Sequence, residues 1–434
     1  MKIKPNIIIL VLLIGFSKSY AQETILNLKD AIEIAISKSN EANLANTKID
    51  TKKLEYEVVK NIQYPDFKIT GQYLRLAGAN IDMANAGNGN GGPDVNQLMI
   101  GQANINFPLF GGFKIKNSIE ASQNLYEAEK LKSLQTKEEI ANKVVEYYAN
   151  LYRAQKSVKL IQESLKTAKQ RSKDFEDLEK NGLIARNDLL KSQLQQSKIQ
   201  LSLDEMKKNV STLNFYLITL MKLPNDYIIG IDEHQFDNSK SELKIQTFEN
   251  AMDNRNDLKV FNFLEKAGEN GIKVAKSGYF PQLALKGGYA ALQLQNVVTV
   301  TNALSFGLGF NYDLSSIFKI KKDIKLAKNK LKETKLNKEI LTENIKIQNQ
   351  QAIENYNLTL KQNLVYAQAV EQATENFRIV KDKNDNGLAT TTELLEADTE
   401  ALNSKLNYAL SRANSFLKYY EMQAAAGNLI TSFK

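Results

Sequence analysis

YPDFKITGQY (64–73) and YFPQLALKGGY (279–289) are two versions of one element. Setting Pro65 over Pro281 also sets Phe67 over Leu283, Gly71 over Gly287 and Tyr73 over Tyr289, all 216 residues apart. A shared register over so many positions is duplication, not composition. In the first copy Phe67, Ile69 and Tyr73 alternate with Lys68, Thr70 and Gln72, the period of a β-strand with two unlike faces.

The copy extends outward. Upstream, Ala35 lies over Ala251 and Glu41 over Asp257, again 216 apart. Downstream, Asn106-Phe107 lies over Asn311-Tyr312, Phe113-Lys114-Ile115-Lys116 over Phe318-Lys319-Ile320-Lys321, and Asn181-Gly182-Leu183 over Asn386-Gly387-Leu388, now 205 apart. The lost 11 residues fall in one place: AGANIDMANAGNGNGGPDVN (77–96) is longer than its counterpart near QNVVTVTN (295–302). Each half therefore reads helix, strand, loop, strand, long helix, turn, helix. The expected divisions are a leader at 1–21, a first repeat over 22–224 with its hairpin at about 65–108, a linker over 225–248, and a second repeat over 249–434 with its hairpin at about 281–313.

The leader is expected from Lys2 and Lys4, the apolar run Ile7 to Phe16 and the small-residue pattern Ser19-Tyr20-Ala21, which together read as a secretory signal peptide. A mature chain starting near Gln22 has no cysteine for a lipid anchor, and no later segment has the roughly 20 continuous apolar residues of a spanning helix. Absence of cysteine removes disulfides and thiolate chemistry, and the single histidine, His234, reads as a surface loop residue with no partner histidine for a metal. The formal charge is +8, three of it from Lys2, Lys4 and Lys18. Lysines spread along helices do not make a nucleic-acid site, so no nucleic-acid partner is expected.

Proline is missing between Pro108 and Pro224 and after Pro281, and glycine is missing from Phe113 to Asn181 and from Asn311 to Asn386. Breaker-free stretches of that length read as helices of roughly 100 Å at about 1.5 Å per residue. Their apolar residues form coiled-coil seams: Ile199, Leu203, Met206, Val210, Leu213, Leu217 and Leu220 step by four and three, and Val144, Leu151, Val158 and Leu165 recur every seven.

The remaining strands carry the same two faces. Met99, Gly101, Ala103, Ile105 and Phe107 alternate with Gln102, Asn104 and Asn106, and Phe306, Leu308, Phe310 and Tyr312 with Gly307, Gly309 and Asn311. About ten residues, apolar on one side and small or polar on the other, is the pattern of an outer-membrane barrel strand. Four strands per chain are too few to close a barrel, and an open edge in lipid leaves backbone groups unpaired. The chain is therefore expected to oligomerise. Tyr64, Tyr73, Phe107, Phe110, Tyr279, Phe280, Tyr289 and Tyr312 are expected near strand ends, in interfacial aromatic belts.

With LNLKDAIEIAISKSNE (26–41), AMDNRNDLKV (251–260) and the two turns NGLIARNDLL (181–190) and NGLATTTELL (386–395) in this order, the chain resembles the TolC-type outer-membrane efflux protein family over essentially its whole mature length. The resemblance implies a mainly α fold with a transmembrane β-barrel: a homotrimer in the outer membrane, sharing a twelve-stranded barrel and a long coiled-coil tunnel across the periplasm. Its implied role is the exit duct of a tripartite efflux or type I secretion system. The implied partners are a periplasmic adaptor (membrane fusion protein), an inner-membrane transporter of RND or ABC type, and outer-membrane lipid. A surface or periplasmic coiled-coil adhesive protein is the alternative, and it leaves the alternating hairpins without a role.

No nucleophile with a histidine base, metal spacing or phosphate-cradling loop is present, so no enzyme, cofactor or metal is expected. Gly182 and Gly387 are expected to end the long helices in the left-handed conformation. Glu393, Glu396 and Glu400 fall on one helix face. The resemblance implies that Glu393 and Glu396 ring a constriction, where repulsion would raise their pKa values and attract cations. Thr390 and Glu393 also spell a capping box. Asp188 matches an acidic latch position whose usual basic and tyrosine partners are replaced by Ala389 and Asn384, leaving Arg186, Lys381 and Lys383 as nearby bases. Gly182-Leu183 and Gly387-Leu388 resemble tip motifs that meet the adaptor.

Overall fold

The computed structural model describes residues 24–79, 94–237 and 248–433; the expected leader, much of the longer hairpin loop and part of the linker lie outside them. The first half runs β1 (Thr24–Ile25), α1 (Leu28–Lys38), α2 (Asn40–Asn61), β2 (Asp66–Ala79), β3 (Val95–Phe110), α3 (Lys114–Lys180) and α4 (Arg186–Met221). The second runs β4 (Ile229–Gly230), α5 (His234–Asp237), α6 (Phe248–Asn254), α7 (Asn256–Lys276), β5 (Gln282–Leu294), β6 (Val298–Asn311), α8 (Ser316–Asp385) and α9 (Thr391–Ala425). The breaker-free stretches are single helices of 67 and 70 residues. No described helix is apolar enough over sufficient length to cross a membrane.

Two compact units share these elements, and each draws on both halves of the sequence. One falls within 1–46, 133–256 and 342–434, the other within 47–132 and 257–341.

The first unit is helical. Its core gathers Val144, Tyr148 and Leu151 of α3 with Leu217, Ile218 and Met221 of α4 and Leu429 near the C-terminus. The Tyr148 hydroxyl, fully buried, donates to the Leu26 carbonyl at 2.9 Å, so its polar atom is satisfied where it must be. Phe236 stacks on Tyr152 with ring centroids 3.7 Å apart. The heptad stripes meet further along, where Ile161 and Leu165 pack on Ile199 and Leu203. Small polar residues are buried along the long helices of both halves: Ser172 of α3 and Ser192 of α4 share a hydroxyl hydrogen bond at 3.0 Å, Thr359, Ser404 and Ser411 are buried on α8 and α9, and the Asn363 amide of α8 donates to Ser415 Oγ of α9 at 2.7 Å.

The second unit carries a four-stranded antiparallel sheet of order β2-β3-β5-β6. Its register sorts the two faces across all four strands. Phe67 opposes Ile105, Phe107 opposes Leu285, and Leu285 opposes Leu308. On the other face Lys68 opposes Asn104, Asn104 opposes Gly288, and Gly288 opposes Ser305. Small residues there make room for long ones: a Cβ on Gly309 would meet Lys286 Cε at 2.6 Å. The apolar face is left open, with Phe67, Ile69, Leu304, Phe306, Leu308 and Phe310 all exposed. Beyond β2 and β6 no further strand pairs among the described residues. Two aromatics depart from the expected placing: Tyr73 opposes Met99 and Tyr289 opposes Ala103, both mid-strand. The alternation that exposes them on the apolar face is set by parity, and parity does not mark where a strand ends.

Candidate functional site

The two helix–turn–helix tips are near-copies of one hydrogen-bonded design. In the first, Leu183 N donates to Leu178 O and Gly182 N to Glu179 O, both at 2.9 Å. In the second, Leu388 N donates to Lys383 O at 2.8 Å and Gly387 N to Asn384 O at 2.9 Å. This paired closure satisfies the last carbonyls of α3 and α8, and it requires a left-handed residue just past the helix; Gly182 and Gly387 supply it with φ of 71° and 74°. Asn181 and Asn386 add one bond each, their amides donating at 2.7 Å to Asp177 O and Asp382 O.

Under the tips Phe175, Leu189 and Leu394 are buried against Leu178, Ile184, Phe377 and Val380. Ile184 thus takes the place of covering the turn. Leu183 and Leu388 are left 69 % and 78 % exposed, projecting from turns closed by backbone hydrogen bonds.

Glu393 forms the capping box in full. Its carboxylate accepts from Thr390 N at 2.7 Å and from Thr390 Oγ1 at 2.9 Å, while its own N donates to Thr390 Oγ1 at 3.2 Å. The Thr390 backbone N–H, then its hydroxyl, hold the carboxyl below its ordinary range. Glu396 and Glu400 are exposed further along α9. With Lys191 and Lys198 of α4 they line a groove of about 460 Å³.

Asp188 lies in the first turn of α4 and pairs with Lys191 at 3.5 Å. Among the described residues Arg186, Lys381 and Lys383 form no ion pair with it: Arg186 meets Glu179 at 3.4 Å, and the Lys383 charge acts on Glu393. Lys191 also donates to Thr392 Oγ1 at 3.0 Å, tying α4 to α9. Asn384 and Ala389 hold each other, the Asn384 amide donating to Ala389 O at 2.8 Å. Two further ties between α9 and the first repeat carry no sequence signal: Arg171 with Asp398 at 2.9 Å, and the Gln195 amide with Thr399 Oγ1 at 2.8 Å. Each joins residues more than 200 positions apart and has no counterpart at the repeat offset, where Asn376 and Gln193 stand in place of Arg171 and Asp398.

Among the described residues no group of histidine, cysteine, aspartate or glutamate side chains is placed to hold a metal ion. The tips present exposed apolar side chains on hydrogen-bonded turns, with a line of carboxylates on the helix behind them.

The profile of the outer membrane efflux protein family matches residues 34–220 and 247–428. Solved structures with the same fold include the outer-membrane channel OprN, at 16 % identity and a TM-score of 0.77 over 92 % of this chain and 89 % of that one. The outer membrane protein VceC from Vibrio cholerae aligns at 14 % identity and a TM-score of 0.75, over 92 % and 96 % of the two chains. The Campylobacter jejuni CmeC outer membrane channel aligns at 16 % identity and a TM-score of 0.76, over 93 % and 86 %. Comparison with curated protein sequences finds no match.

Proposed function

The chain belongs to the outer membrane efflux protein family, a family of outer-membrane transport channels rather than enzymes, and from that membership we propose that it is the passive exit duct of a tripartite efflux or type I secretion system. The observation that carries this reading is the sheet. It has one continuous apolar face that stays exposed and two strand edges, β2 and β6, with no partner among the described residues.

In lipid, unpaired edge groups each cost several kcal/mol, and one copy of the sheet is too short to close on itself. Three copies joined edge to edge give the twelve strands of a closed barrel, and the 67- and 70-residue helices would line a tunnel into the periplasm. The exposed Leu183 and Leu388 would dock a periplasmic adaptor, which couples the duct to an inner-membrane pump of RND or ABC type. Glu393 and Glu396, brought together from three chains, would ring the constriction, with Asp188 helping to latch it. The surface coiled-coil alternative leaves the exposed apolar sheet unexplained.

The test is purification of the secreted chain from membranes. A detergent-dependent trimer that forms discrete channels in planar bilayers is the expected result; a monomer soluble without detergent refutes the duct. Photo-crosslinkers at Leu183 and Leu388 should capture the adaptor in cells, and labels that never capture it remove the docking role.

A further inference from the structure

The four residues Phe-Lys-Ile-Lys stand directly after each hairpin, at 113–116 and 318–321, where the long helices begin. Neither helix has an acid in its first turn, although acids there complement the helix dipole and lysines oppose it. Local folding therefore gives no reason for the lysines.

The isoleucine of the second copy is structural. Ile320 is buried, and its Cδ1 fills the space that a Cβ on Gly278 would need. The phenylalanines and lysines are left outside: Phe113 is 61 % and Phe318 80 % exposed, and Lys114, Lys116, Lys319 and Lys321 are all exposed.

At the first copy these side chains shape a groove of about 370 Å³. Phe113 and Phe280 wall it, Lys116, Lys273 and Lys276 surround it, and Glu120 is the single acid on its lining. The walls are fixed by packing. Phe110, the last residue of β3, meets Phe113 and Phe280 edge-on at 5.6 and 6.2 Å between centroids. Gly112 lets the turn press against the next segment, since a Cβ there would meet Ser277 O at 2.6 Å and Phe280 Cβ at 2.8 Å. Phe113 itself is held at φ 62°, a left-handed conformation that bulky residues avoid. Lys273 donates to the Asn270 amide at 3.3 Å, and among the described residues none of the three ammonium groups has a carboxylate partner within ion-pair distance. Three cations against one acid, beside two phenylalanines and the end of an apolar sheet face, complement an anion that carries hydrocarbon.

We propose that this groove binds the headgroup of an anionic phospholipid. Lys116, Lys273 and Lys276 hold its phosphate, and its acyl chains lie against Phe113, Phe280 and the apolar face of β3 and β5. Lysine stems suit that boundary, since they lie along apolar surface while their ammonium groups stay in the polar layer. Phe318, Lys319 and Lys321 continue the same basic, aromatic rim after the second hairpin. The inference rests on the reading of the sheet as the membrane element.

The test uses the full chain in nanodiscs of phosphatidylcholine alone and of an equal mixture with phosphatidylglycerol, with retained lipid counted by native mass spectrometry. Enrichment of phosphatidylglycerol on the order of one hundred-fold is expected from three cations that lack a carboxylate partner. It should fall to parity in K116Q/K273Q/K276Q and persist in K166Q/K169Q/K207Q, which removes the same charge from exposed positions of the helical unit. A chain that enters both nanodiscs and shows no enrichment overturns the lipid site and leaves the membrane reading standing. A chain that enters neither overturns both. Enrichment equally strong in the two triple variants, or abolished by inorganic phosphate in the buffer, also overturns the site.

Discussion

Arg171 of α3 meets Asp398 of α9 at 2.9 Å, with the two side chains only 10 % and 13 % exposed. The guanidinium also lies 6.0 Å from the Phe377 ring centroid. Removing one member of a pair so well covered strands the other charge out of water, at a cost on the order of 3 kcal/mol. Arg171→Met or Asp398→Asn should therefore lower the thermal unfolding midpoint in detergent clearly, and R171M/D398L should recover much of the loss. Since α9 also carries Glu393 and Glu396, each single variant should raise the resting conductance in planar bilayers. Singles no less stable than the double would show that the pair carries no coupling.

Glu393 has two assignments that separate by mutation. As a cap its folded pKa lies below the ordinary 4.5, so its support is fully present above about pH 4.5 and is lost as pH falls through the lowered value. Amide exchange at 391–394 should speed up over that acid range. Thr390→Ala should speed the same amides at neutral pH while leaving divalent-cation block of the channel in place. Glu396→Gln should weaken the block and leave the exchange alone. Block that survives both Glu393→Ala and Glu396→Ala would end the constriction assignment.

Two carboxyls in the helical unit should impose opposite slopes on stability against pH. Hydrogen bonds from Lys156 and then Lys159 pull Glu233 down to about 2, so that contribution is complete above about 4.5 and disappears towards pH 2. Burial pushes Glu138 up to about 7 against the weaker pull of the Ile430 N–H, which it accepts at 3.2 Å. Between about 4.5 and 7 the unfolded state ionises at Glu138 while the folded state keeps its proton, so stability falls as pH rises. Glu138→Gln retains an acceptor for Ile430 and should flatten that neutral slope. Glu233→Gln should flatten the acid one. Midpoints measured from pH 3 to 8 check both, and an unchanged neutral slope in E138Q would refute the first.

The sequence was informative where the fold repeats itself or keeps a period. Pro65 over Pro281 located both hairpins, the missing breakers located α3 and α8, and Asn-Gly-Leu located both tips, because each of these is a local requirement of backbone or pattern. The join between the hairpins, with Phe107 opposite Leu285, has no local signal: parity fixes which face a residue takes but not which strand lies alongside. The same holds at the tips. Thr390-x-x-Glu393 is readable because a cap is made within one turn, whereas Lys191 as the tie from Asp188 towards Thr392, and Arg171 as the mate of Asp398, depend on how three helices come together. Tyr73 and Tyr289 fell mid-strand for a related reason, since the loops that end their strands differ between the halves and the shared motif does not contain those ends.

The glycines separate backbone conformation from crowding. Gly101 in β3 has nothing within 4 Å of a new Cβ and no positive φ, so Gly101→Ala should be neutral or slightly stabilising. Gly182 also faces open space but sits at φ 71°, so Gly182→Ala should cost roughly 1 kcal/mol through the left-handed backbone alone. Gly112 combines φ 62° with the Ser277 carbonyl at 2.6 Å. That neighbour is backbone and cannot swing aside, so Gly112→Ala should cost more than Gly182→Ala and should displace the Phe113 and Phe280 rings as well. Thermal midpoints in detergent should fall in the order G101A, G182A, G112A. Should G182A match G101A, the left-handed closure at Gly182 would not be what holds the tip turn that presents Leu183.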